Sequence, residues 1–161
     1  MALKLSDNDP KILEFIKSHS VGVLATADKE ALPHAATIYF ISEQGSLIYF
    51  LTKQGTTKHR NLQENPVAAL AVSDTPSQTT VQITGAARQV KDPEAIESLL
   101  EKITAVAQMT NGGQQPPVTK LDAGEYVAYC LEPKTIRMSE FIRDGHAATV
   151  GIFEELAGNT Q

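Results

Sequence analysis

Residues 50–62 read Phe-Leu-Thr-Lys-Gln-Gly-Thr-Thr-Lys-His-Arg-Asn-Leu. Within seven of these positions fall the hydroxyls of Thr52, Thr56 and Thr57 and the ammonium groups of Lys53 and Lys58. The pattern predicts a strand that ends in a glycine-containing loop and opens a helix. At such a start the first backbone N–H groups lack helical acceptors and the helix dipole is positive, so a phosphate is a favoured ligand. Lys58, His59 and Arg60 would then occupy the first turn, where the dipole disfavours each positive charge by about 0.3–1 kcal/mol. A bound anion accounts for them. The alternative is that Thr56 or Thr57 only caps the helix and the bases are solvated. The Gly-Lys-Thr order of a Walker loop is missing.

Other chemistry is thin. His19, His34, His59 and His146 are scattered, without a metal-ligand spacing, and are expected at the surface. Cys130 stands among Val127, Ala128 and Leu131, which suits a buried thiol better than a nucleophile. No Gly-x-Ser-x-Gly elbow supports a hydrolase.

The composition sets outer bounds. At 161 residues, with 42% hydrophobic and 20% charged residues, the chain fits one globular domain spanning 1–161, with residues 21–141 as its core. A formal net charge of −5 argues against a nucleic-acid partner. No apolar run reaches the roughly 18 residues of a membrane span, so no membrane partner is expected. The single cysteine suits a reducing compartment, and the expected location is the cytoplasm.

The elements that must position the 50–62 stretch follow from periodicity. Asp9 as cap and Pro10 open a helix with Ile12, Phe15 and Ile16 on one face, running to about His19. Residues 21–27, 34–41 and 47–51 predict an antiparallel meander, and residues 56–64 a short helix stopped before Pro66. Residues 67–73 and 79–90 return to strand, with Gly85 marking a bend or bulge. Asp92 and Pro93 then open a helix carrying Ile96, Leu99, Leu100, Ile103, Val106 and Ala107 on one face. Residues 110–120 have no periodicity and predict a mobile surface loop. Residues 125–131 and 135–141 predict two more strands around a turn at Glu132-Pro133, followed from Arg143 by a short apolar and acidic tail. The whole is mostly antiparallel β with about three helices.

Three stretches resemble the FMN-binding split barrels related to pyridoxamine 5′-phosphate oxidase. They are Val21-Gly22-Val23-Leu24-Ala25-Thr26, the strand, Thr-Lys loop and Asn-Leu helix of residues 50–66, and Val81-Gln82-Ile83-Thr84-Gly85-Ala86-Ala87. The likeness runs over residues 21–90, with weaker support from 125–137. It implies a mainly β (α+β) fold, a six-stranded antiparallel split β-barrel with flanking helices, and a homodimer with FMN at the interface. Leu51 and Thr52 would meet the flavin and its phosphate end, and Thr57 and Lys58 would hold the phosphate with help from Lys53. The strand over 34–39 would run beside the isoalloxazine ring, where Ala35, Ala36 and Thr37 are small enough to admit it. Thr80 or Gln82 would hydrogen-bond the flavin, or else serve as ordinary polar strand residues.

The chain also departs from the family pattern. Thr57 stands where relatives often carry an arginine, which removes one charge-assisted contact. Arg137, Arg143 and His146 do not form the Arg-x-His substrate motif of the true pyridoxamine oxidases. The resemblance therefore implies an FMN-dependent oxidoreductase that keeps the flavin site and acts on a different, unknown small molecule. A non-catalytic flavin or haem binder or sensor, and a deazaflavin-using reductase of the same fold, are the alternatives.

Overall fold

The computed structural model describes residues 9–143, 146–147 and 153–157. Helix α1 (Asp9–Ser18) includes Asp9 itself, so it starts at the residue expected to cap it. Its Ile12 and Ile16 are fully buried, which contributes about 1.5–3 kcal/mol each. The meander follows as β1 (Val21–Ala27), β2 (Pro33–Glu43) and β3 (Leu47–Lys53). Next come α2 (Thr57–Glu64), β4 (Val67–Asp74) and β5 (Thr79–Val90). Helix α3 (Pro93–Thr110) opens on Asp92, whose side chain accepts from the Glu94 N–H, with Pro93 in the first turn as expected.

Strands β3-β2-β1-β4-β5 and β6 (Tyr126–Glu140) pair in that order, and β3 also pairs with β6. All pairings are antiparallel, so the ring closes into a six-stranded barrel. Alternation sorts the side chains. Leu24, Ile38, Phe40, Phe50, Leu70, Val81, Ile83, Tyr129, Leu131 and Ile136 fill the interior, with Ile12 and Ile16 of α1 and Leu62 of α2 packed onto it. A second cluster lies outside, where Leu99 and Ile103 of α3 pack on Leu51 of β3 and Ala128 of β6.

Two expectations need correction. Residues 126–140 form one 15-residue strand and not two strands around a turn. The register shifts beside Gly85, which pairs with Pro133 while Thr84 pairs with Thr135, leaving Lys134 as the extra residue. Proline cannot donate to a ladder, but a bulge accommodates it, so Glu132-Pro133 bends the strand without ending it. Within residues 110–120 a short helix, α4 (Pro117–Lys120), makes four helices where about three were expected. Pro117 opens it, and Val118 packs against the outer cluster.

The stretch beyond Arg143 carries further pairing. β7 (Ile142–Arg143) pairs with β8 (His146–Ala147), and β9 (Phe153–Ala157) pairs with residues 135–139 of β6. The rest of the expected tail lies outside the described residues. Among the described residues, no helix is long and apolar enough to cross a membrane.

Candidate cofactor site

The site lies where the barrel wall splits. β2 and β3 pair only from Phe40–Phe50 to Glu43–Leu47. Beyond that point β2 stays with β1 through residues 33–39, while β3 stays with β6 through Lys53. A cavity of about 60 Å³ occupies the divergence. Thr37, Ile38 and Tyr39 line it from β2, Leu51 and Thr52 from β3, and Lys58 from α2. Ile103 of α3 and Pro117, Val118 and Leu121 form the remaining wall.

Local chemistry fixes the start of α2 against this cavity. Thr56 is the N-cap, and its hydroxyl accepts from the His59 N–H at 3.4 Å. The same hydroxyl donates to the Lys53 carbonyl at 2.8 Å. Thr52, 1% exposed, therefore donates in the 2.8 Å contact between the Thr52 and Thr56 hydroxyls. The loop is pinned from outside by Gly55 N–H to the Ala123 carbonyl, 2.7 Å, and by Gln54 N–H to the Glu125 carbonyl, 3.1 Å.

Lys58 is the charged group of the cavity. Burial alone holds its ammonium below the ordinary lysine range. Among the described residues no carboxylate pairs with it, and the N–H groups of Thr57 and Lys58 have no acceptor. The first turn of α2 contains no acidic residue. A half-buried cation and two free donors at a helix start, with no protein anion to satisfy them, make a positive recess that fits a phosphate.

The structure thus brings Thr37, Leu51, Thr52 and Lys58 to one cavity. The other candidates stand around it or apart. Lys53 holds its ammonium over the Tyr126 ring, 4.0 Å from the centroid. The Thr57 hydroxyl accepts from Arg60 Nη2 at 3.2 Å. Ala35 and Thr37 are exposed on the outer face of β2, and Ala36 alternates to the other face. Thr80 lies across the barrel with its hydroxyl 3.2 Å from that of Ser73, and Gln82 is exposed on the same strand.

Sequence reasoning missed Tyr39, Ile103 and the wall of Pro117, Val118 and Leu121. The signal available was a proline at a helix start followed by apolar residues three apart. The expectation of surface histidines also fails for His59. Its Nδ1 lies 2.9 Å from the hydroxyl of buried Tyr129, which also accepts from Gln63 Nε2 at 2.9 Å. The His59–Tyr129 bond is made by the neutral ring, whose pKa is lowered by burial, with the ring tautomer setting which of the two donates. Nδ1 of His34 is buried too, without a hydrogen-bond partner. Cys130 is half-buried, and its burial raises the thiol pKa, which suits an inert role.

Residues 9–140 match the family described as pyridoxamine 5′-phosphate oxidase. The chain belongs to the pyridoxamine 5′-phosphate oxidase family. Solved structures agree on the fold. A pyridoxamine 5′-phosphate oxidase-related, FMN binding protein from Nostoc punctiforme PCC 73102 superposes with a TM-score of 0.65 at 15% identity, covering 98% of this chain and 99% of that one. General Stress Protein 26 from Bacillus anthracis str. Sterne gives 0.62 at 21% identity, over 83% of this chain and 94% of that one. HutZ, the heme storage protein from Vibrio cholerae, gives 0.56 at 18% identity, over 83% and 91%. A comparison with curated proteins finds no match. Proteins that share this fold therefore include one described as FMN binding and one described as a heme storage protein.

Proposed function

We propose that this member of the pyridoxamine 5′-phosphate oxidase family binds FMN and acts as an oxidoreductase on a small molecule, as a cytoplasmic homodimer. The observation that carries the reading is Lys58, a half-buried cation that has no counter-charge among the described residues and stands beside two free N–H groups. Lys58 and the N–H groups of Thr57 and Lys58 would hold the phosphate, and Thr52 would hold Thr56 in its capping position. The bound flavin supplies hydride or electron transfer, so the chain needs to position and cover it and not to provide an acid–base pair. Leu51, Ala35 and Thr37 offer a small, largely apolar surface for a flat ring.

The cavity supports the two-chain reading. About 60 Å³ is far below the roughly 300 Å³ at which small-molecule sites begin, so one chain does not enclose the ring. On the outer face α3 covers Tyr39 and Ile41 of β2, while Val21 and Val23 of β1 and Val67 of β4 stay exposed. Thr37, Val23, Ala71 and Gln82 are successive cross-strand neighbours on that face. Gln82 is therefore about 14 Å from Thr37 along the sheet, at about 4.8 Å per strand. A two-fold copy laid on this face would cover the ring and bring its own Gln82 or Thr80 towards it.

The test is the absorption spectrum of the purified protein and the mass of the compound it releases. A flavin spectrum with the mass of FMN, bleached by a reduced nicotinamide, supports the enzyme. FMN that stays oxidised supports a carrier, and a Soret band or a deazaflavin mass overturns the FMN reading.

A further inference from the structure

Leu62 is the only apolar residue of α2. The other holds of this helix on the barrel are hydrogen bonds to three strands. Buried Asn61 donates from Nδ2 to the Thr26 hydroxyl of β1 at 3.1 Å. The Thr56 cap meets Thr52 of β3 at 2.8 Å. The third hold is Tyr129 of β6, which is 1% exposed and stacks on Phe50 with ring centroids 5.5 Å apart. Its hydroxyl takes two partners four residues apart on α2, His59 Nδ1 and Gln63 Nε2, each at 2.9 Å. A phenol oxygen can accept twice, or accept once and donate once, so both bonds form with either tautomer of His59. The other Nε2 hydrogen of Gln63 goes to Gln89 Oε1 of β5 at 3.3 Å, which fixes the amide.

Apolar contacts are non-directional, whereas a hydrogen bond weakens steeply away from its axis. Residues four apart lie on one face of a helix, one above the other. A single oxygen bonded to both His59 and Gln63 therefore resists rotation of α2 about its own axis, while the Thr56 cap fixes where the helix begins. Lys58 precedes His59 by one residue and so stands about 100° round the helix from it. A rotation of roughly 20° would carry its Cα by about 0.8 Å, and the ammonium at the end of the side chain further. We infer that Tyr129 is a positioning residue, which acts through His59 and Gln63 to set the rotation of α2 that turns Lys58 into the cavity. The inference rests on the reading of that recess as a phosphate site and adds the residue that aims it. Tyr129 is not part of the cavity wall, and its hydroxyl is committed to α2.

The test compares FMN and riboflavin on the full-length protein and on Tyr129→Phe, which keeps the ring and its stack on Phe50 and removes the hydroxyl. FMN is expected to weaken about tenfold and riboflavin to stay unchanged, because only the phosphate depends on the aim of Lys58. A second readout needs no ligand. The Cε resonance of Lys58, followed by NMR against pH, is expected to titrate closer to the ordinary lysine range in Tyr129→Phe, as the ammonium leaves its half-buried place. A pair of variants, His59→Ala and His59→Asn, separates aiming from helix stability. Asn offers a polar atom near the place of Nδ1 and Ala offers none, whereas Ala is the better helix former. Aiming therefore predicts tighter FMN binding in His59→Asn than in His59→Ala, and a merely structural role predicts the reverse. This pair decides the matter if Tyr129→Phe does not fold. FMN affinity unaltered in Tyr129→Phe, equal losses for FMN and riboflavin, or tighter FMN binding in His59→Ala than in His59→Asn overturns the positioning role. Equal binding of FMN and riboflavin by the unmodified protein overturns the phosphate reading alone if the Lys58 titration still moves in Tyr129→Phe, and both if it does not.

Discussion

The Thr52 and Thr56 hydroxyls meet at 2.8 Å, and this contact ties the end of β3 to the cap of α2. Thr56 spends its own proton on the Lys53 carbonyl, so Thr52 supplies the one between them. The orientation of the first turn, and of Lys58 within it, follows from that bond. Thr52→Val keeps the shape and removes the donor. It is expected to cost about 1 kcal/mol in urea unfolding. FMN affinity should fall by less than it does on removing Lys58, because the cap persists through Lys53.

Gly85 makes the bulge possible. A Cβ there would lie 2.0 Å from the Glu132 carbonyl oxygen and 3.0 Å from Pro133 Cα, both backbone atoms that cannot step aside. Gly85→Ala should therefore destabilise the barrel by roughly 3 kcal/mol or prevent folding. Denaturant unfolding beside an Ala86→Gly control, which removes a Cβ one residue away, measures it. A change below about 1 kcal/mol would mean that β5 and β6 separate readily at the bulge.

The same position shows how far the fold was legible. Gly85 in a β-rich run signals a bend, and alternation at Leu24, Ile38 and Phe40 gives the core face directly. Pro133 misled because proline is read locally as a break, whereas its partner across the ladder, Gly85, is 48 residues away (133 − 85). Hydroxyl and ammonium spacing at a strand-to-helix junction singled out Lys58 and Thr52, and the structure brings both to one cavity. Tyr39 and Leu121 were not singled out. Their meeting depends on β2 parting from β3 and on α4 folding back over the gap, and neither is encoded in a short window.

His59 gives the protein an acid limit. Burial lowers its pKa, so in acid the unfolded chain takes up a proton that the folded chain resists. Its contribution to stability is full above its unfolded value of about 6.5 and is lost as pH falls through that value towards the folded one. Protonation also commits Nδ1 to donating to the Tyr129 hydroxyl. His59→Gln should show a smaller loss of stability between neutral and mildly acidic pH. Equal losses in thermal melts would remove His59 from the account.

The exposed strands make oligomeric state a direct question. Ala71 lies at the centre of the uncovered face, between Val23 and Gln82. Ala71→Glu should split the proposed dimer by placing like charges across a two-fold axis, and the proposed FMN should be released in step with dissociation. Light scattering with flavin fluorescence over a dilution series follows both. A monomer that keeps FMN at full affinity would show that the second chain adds nothing to the site.

The most direct test of the account compares FMN with riboflavin, which differ only in the phosphate, on the unmodified protein and on Lys58→Ala. FMN should bind more tightly, and Lys58→Ala should weaken FMN by about 1.5–3 kcal/mol, the range for a hydrogen bond to a charged group, while leaving riboflavin unchanged. The preference should also fade as pH rises through the lowered pKa of Lys58, below its ordinary 10.5, because only the charged ammonium attracts the phosphate. Equal affinities for the two ligands, or a preference that survives Lys58→Ala intact, would contradict the phosphate recess on which the proposed function rests.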